Sequence, residues 1–197
     1  YLRRELAWIA GLTALGWLIR LAGVRHPQAN HSDLLLNVNN LVGVLQGELI
    51  FTEGLPAEAG GGRQPYPPGW YLILLPLTML TNDGPALGAL IQSAGALLDA
   101  LVIALIWWMV RTFDGSALGQ RRALWAAALY LFPLPLLRSQ IVGEYANVGG
   151  QALALIALAG LVVWMGLNRP PRWRFPVALS LACAVLMHSG VVRSLVL

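Results

Sequence analysis

Five stretches of this chain, at roughly 6–24, 85–110, 123–140, 149–167 and 175–192, are apolar over the length, or nearly the length, that a helix needs to cross a bilayer. A soluble fold would have to hide all of them beneath a polar surface. Of the 197 residues, 57% are hydrophobic and only 11% are charged, against about 25% charged in an average soluble domain. Mean hydropathy is +0.65. Lipid removes the conflict, because an apolar solvent needs no polar cover and a helix satisfies its own backbone there. The predicted fold is therefore an all-α membrane protein of about five transmembrane helices, forming one transmembrane domain over 1–197. The first run is long enough to span and reads as a membrane helix rather than a cleaved leader. The chain begins at Tyr1 and stops in apolar sequence at Leu197, and is expected to be part of a longer protein.

The net charge is +4, and every basic side chain apart from histidine is arginine. In a soluble protein that balance would suggest nucleic acid. Here the arginines sit in short runs between the apolar stretches, the pattern of cytoplasmic loops, so nucleic acid is rejected as a partner. The single cysteine, Cys183, excludes an internal disulfide and lies in an apolar run.

The arginines also decide the topology. A shorter apolar run, Trp70 to Thr81, is interrupted by Pro76 and preceded by Pro67-Pro68. As a helix it would cover about 18 Å of an apolar layer about 30 Å thick. If it does not cross, Arg3 and Arg4, Arg111, Arg121 and Arg122, and Arg169, Arg172 and Arg174 all fall on one side, which the positive-inside rule makes the cytoplasm. The run is accordingly read as a re-entrant or interfacial helix. Residues 25–84 become an extracytoplasmic loop, and the N-terminus is cytoplasmic.

That loop is too long for a mere connector. From Ser32 to Phe51, at 100° per residue, Leu34, Leu35, Val38, Leu41, Val42, Leu45 and Leu49 cover one face, and Asp33, Asn37 and Asn40 line up opposite. This predicts an amphipathic helix at the membrane surface. Glu53 to Gln64, with Gly60-Gly61-Gly62, reads as mobile, and Tyr66-Pro67-Pro68-Gly69 as a rigid extended turn.

An acid just after the first span, a surface helix, and then Tyr-Pro-Pro-Gly before a short apolar run resembles the GT-C type of membrane glycosyltransferases. Among these the chain looks most like the protein O-mannosyltransferase and aminoarabinose transferase group, and related polyprenol-dependent mannosyltransferases. The resemblance covers most of the chain, as the N-terminal part of such an enzyme. It implies transfer of a mannose-like or related sugar from a polyprenyl phosphate to an acceptor outside the cytoplasm, in a bacterial or archaeal plasma membrane. Asp33 matches the catalytic acid of the first outward loop, Tyr66-Pro67-Pro68 the later aromatic–Pro–Pro motif, and Glu144 the second acid after the third span. The family's first motif usually holds two acids, whereas His31-Ser32-Asp33 holds one, and Glu144 stands where Asp is common. A divalent metal, Mg or Mn, held by Asp33 and Glu144 is implied only to the extent that the acid pattern is kept.

Each of these residues has a plainer reading beside the chemical one. Asp33 serves as general base toward an acceptor hydroxyl, or as the N-cap of the surface helix. Glu144 orients the acceptor, or is a solvated residue paired with Arg138. Arg138 meets the lipid phosphate, or snorkels at the interface. His31 replaces the missing acid, or is simply solvated, and Asn37 and Tyr66 are placed with it as substrate-binding residues. His188 is near enough to the outward end of the last span to reach the same face. Pro67 and Pro68 fix the return of the loop. Asp99 falls mid-span, where a charge costs roughly 2.5–3.5 kcal/mol. It is assigned to packing, protonated or hydrogen-bonded through Gln92, Ser93 or Gln151. Two other functions stay open: a transporter or flippase fragment, which Asp99 and the broken 70–81 run fit in part, and a non-catalytic scaffold that keeps the fold.

Overall fold

In the computed structural model, residues 2–30, 32–48, 51–54, 63–81, 83–167 and 170–188 are described. The apolar runs become helices. Among the described residues four are long and apolar enough to cross a membrane: Arg3–Val24, Gly84–Phe113, Ala117–Val142 and Tyr145–Gly166. The fold is that of an all-α membrane protein. The expected fifth span is α8, Arg174–Met187, which is described over 14 residues and packs along α7, Tyr145–Gly166. Helix α1, Leu2–Val24, lies against α4, Gly84–Phe113, and α4 in turn contacts α7.

The third span is broken. Helix α5, Ala117–Leu129, ends in a turn, and α6, Leu134–Val142, resumes the path. Pro133 and Pro135 cause the break: neither has an N–H, and each disfavours helical geometry in the residue before it. In an unbroken helix the Leu131 carbonyl would accept from residue 135, which is proline. The vacated carbonyls are taken up by Arg20 of α1, which donates from Nη2 to the Tyr130 carbonyl at 3.2 Å and from Nη1 to that of Leu131 at 3.4 Å.

Arg20 departs from the loop pattern of the other arginines. It is fully buried, and its Nε meets Asp99 Oδ2 at 2.6 Å. Asp99 also accepts from Tyr130 Oη at 2.8 Å and from Gln140 Nε2 at 2.8 Å. The expectation that Gln92, Ser93 or Gln151 would partner Asp99 is therefore corrected. One network ties α1, α4, α5 and α6 together where lipid would supply no hydrogen bonds. Near the N-terminus, buried Glu5 accepts from Arg111 Nε at 2.9 Å and joins α1 to α4 a second time.

The segment between α1 and α4 stays at one end of the bundle. Helix α2 runs Leu34–Leu45, shorter than expected, because Gly47 adopts φ +90° and turns the chain away. An antiparallel hairpin follows, β1 at Phe51–Gly54 and β2 at Arg63–Tyr66, which periodicity did not disclose. The glycine-rich stretch 55–62, expected to be mobile, lies outside the described residues. The run at 70–81 forms α3, Gly69–Leu74, and a 3₁₀ turn, Leu75–Leu80, that begins next to Pro76. This pair is too short to span. Trp70, Tyr71 and Leu74 are buried in a core with Leu41 and Val44 of α2, Leu87 and Ile91 of α4, and Tyr145 of α7.

Candidate functional site

Four remote segments converge on a cavity of about 200 Å³. Its lining comprises Asp33, Leu36 and Asn37 from the start of α2, Tyr66 from the hairpin, Gly143, Glu144 and Asn147 from the α6–α7 junction, and His188 after α8. Asp33, Asn37, Tyr66 and Glu144, all singled out in the sequence, thus share one site.

The junction is held against α2 by a few specific bonds. Gly143 has φ +102°, which an L side chain rarely adopts. A Cβ there would also meet the Leu34 nitrogen at 3.1 Å and the Asp33 carbonyl carbon at 3.3 Å. Glycine therefore lets the Glu144 loop touch the backbone of Asp33. The Asp33 N–H donates to the Val142 carbonyl at 3.3 Å. Asn37 Nδ2 donates to the carbonyls of Asp33, at 2.7 Å, and Gly143, at 3.0 Å. Its Oδ1 accepts from Tyr71 Oη at 3.2 Å, and Tyr71 Oη accepts from Asn40 Nδ2 at 3.1 Å.

Asn37 is only 2% exposed. The face of α2 expected to meet water is instead turned onto Tyr71 and the Gly143 loop. Asn37 is better described as a positioning residue than as a substrate ligand, because both its amide groups are already engaged.

Asp33 occupies the N-cap position of α2 but makes no side-chain capping bond. Its Oδ1 accepts from Ser32 Oγ at 3.1 Å, and the residue lines the cavity. Glu144 is exposed and accepts from Asn147 Nδ2 at 3.2 Å, while Asn147 Oδ1 accepts from Gln151 Nε2 at 3.0 Å. Tyr66 stacks at a tilt on Tyr71, with ring centroids 6.2 Å apart, and meets His188 edge-on at 6.4 Å. Burial pushes the His188 imidazole below its usual value, and the Glu144 carboxylate opposes that shift. The site thus combines two carboxylates, a half-buried imidazole and an aromatic wall.

The remaining sequence candidates lie elsewhere. Arg138 is exposed on α6 and does not line the cavity, and no Glu144–Arg138 ion pair forms among the described residues. Pro68 is the residue before α3, and its carbonyl accepts from Leu72 N–H at 3.0 Å. Gly69 then permits a close approach of backbone to backbone, since a Cβ there would come within 2.5 Å of the Leu186 carbonyl oxygen of α8. Asp99 belongs to the separate network with Arg20. His31 lies outside the described residues. Gly143 and Asn147 escaped the sequence reading. The usable signal was a glycine in a short helix–helix junction immediately before an acid.

A divalent ion would need a gathered donor set, and among the described residues no group of three His, Cys, Asp or Glu side chains could hold one. No protein-family model, curated protein or solved structure matches this chain.

Proposed function

We propose that this chain is the N-terminal part of a membrane glycosyltransferase that moves a sugar from a polyprenyl phosphate to an acceptor hydroxyl on the extracytoplasmic side. The observation that carries this reading is the convergence of Asp33, Tyr66 and Glu144 on one cavity from segments far apart in sequence. The helix ends bearing Arg3, Arg4, Arg111, Arg121, Arg122, Arg172 and Arg174 lie away from that cavity, which supports an outward site. Nucleotide sugars are not available on that side, so a lipid-linked donor is the sensible source.

In the reaction the acceptor oxygen bonds to the anomeric carbon, the bond from that carbon to the phosphate oxygen breaks, and polyprenyl phosphate leaves. Asp33 takes the proton of the attacking hydroxyl. Glu144, held by Asn147, orients the acceptor, and the Tyr66 ring offers an apolar wall to the sugar face.

The test supplies polyprenyl-phosphate sugars to the full-length protein in membranes and follows transfer. Asp33→Asn is expected to slow transfer about 100- to 10,000-fold, the usual contribution of a positioned base, with no loss of folded protein. Equal transfer by the variant removes Asp33 from the mechanism. A wild-type protein inert toward every donor favours the scaffold reading.

A further inference from the structure

Far from the candidate site, Trp8 and Leu12 of α1 and Arg121, Leu124, Trp125 and Ala128 of α5 enclose an open groove of about 440 Å³. The spacing of the α5 residues puts them on one helix face. The groove is almost wholly apolar apart from Arg121, in the first turns of α5. Trp8 and Trp125 are 68% and 72% exposed along it, the placement of indoles at a membrane–water boundary.

Charge singles out the occupant. The acids near this end of the bundle are engaged: Glu5 with Arg111 at 2.9 Å, and Asp114 with Arg122 at 3.4 Å. Ser116 and Arg122 hold the Asp114 carboxyl below its usual range. Among the described residues no carboxylate lies within ion-pairing distance of Arg121, and Arg3 and Arg4 are exposed on the same end. An apolar trough bordered by an exposed arginine with no ion-pair partner among the described residues matches an amphiphile with an apolar tail and an anionic head.

We propose that this groove binds an anionic diacyl phospholipid, with one acyl chain along Leu12, Leu124 and Ala128 and the headgroup phosphate on Arg121. The guanidinium offers a planar fork to phosphate oxygens, and the indoles flank the glycerol level. Zwitterionic lipids of the same chain length bring the same tail without the net charge, so the site discriminates between headgroups.

Native mass spectrometry of the full protein in detergent, titrated with phosphatidylglycerol or phosphatidylcholine of identical chains, tests this. Phosphatidylglycerol adducts are expected to dominate. Arg121→Gln should weaken their retention about five-fold, equivalent to the ~1 kcal/mol one arginine contributes near an anionic lipid surface. Arg121→Lys should recover most of it, and Arg122→Gln, already paired with Asp114, should change it little. Ala128→Phe, which fills the trough, should reduce adducts of both lipids. Equal binding of the two lipids, or undiminished adducts in both Arg121→Gln and Ala128→Phe, overturns the proposal.

Discussion

Two of the polar clusters in this largely apolar bundle are built on opposite plans. Around Asp99 both carboxylate oxygens are taken, by Arg20, Tyr130 and Gln140, and the residue is 1% exposed. Around Asp33 and Glu144 the carboxylates keep open lone pairs, the walls leave a cavity, and the bonds that fix geometry come from the neighbours Asn37, Ser32 and Asn147. A network of this kind fixes helices, because the acid at its centre is saturated by groups from its neighbours. An open one leaves acids able to meet something from outside. Burial alone does not mark a functional acid in such a protein. What marks it is whether its partners saturate it.

The contrast can be broken by substitution, beginning where the effect is largest. Asp99→Leu strands Arg20 as an unpaired buried charge and is expected to destabilise the fold by about 3–5 kcal/mol. Thermal unfolding in detergent reads this, and adding Arg20→Met should restore part of the loss. A variant that melts like the wild type would show that the network contributes little. Asn37→Leu comes next. It removes the amide that joins α2 to the Gly143 loop, at a cost of about 1–3 kcal/mol, and should lower sugar transfer beyond the loss of folded protein. Glu144→Gln is the mildest. Its side chain is exposed, so stability should stay within about 0.5 kcal/mol of wild type, while transfer falls. If Glu144→Gln unfolds the protein as Asp99→Leu does, both clusters are structural and the distinction fails.

The spans were legible because a bilayer imposes length and apolarity together, and these read directly from the chain. The surface segment was legible in outline: Pro76 and the short run at 70–81 pointed to a non-crossing piece, and α3 with its 3₁₀ turn is one. Asp99 stood out as an acid in a span, but its partner lies 79 residues away on another helix, and helical periodicity carries no such information. The available signal was Arg20 itself, a second charge inside an apolar run, which belongs with the first. The polar stripe of α2 was found, yet its direction was not, because periodicity groups Asn37 with Asp33 without saying whether protein or water faces them. Tyr71 decides that. The hairpin hid for a related reason, since its pairing joins strands across an intervening stretch and one of them contains Pro65.

The broken third span also bears on how the chain is made. Arg20 enters the bilayer with the first helix, whereas its partners Asp99, Tyr130 and Leu131 are encoded 79, 110 and 111 residues later. At about 5–20 residues per second, the first helix is complete roughly 5–20 seconds before the Tyr130 and Leu131 carbonyls exist. Until Asp99 is made, this guanidinium, near the end of the first helix, has the Gly16 carbonyl of its own helix as partner and must otherwise be held by water, lipid headgroups or the insertion machinery. The first helix can settle only when the third arrives, so membrane insertion of this bundle has a built-in order, with a proline break synthesised late completing a helix synthesised early.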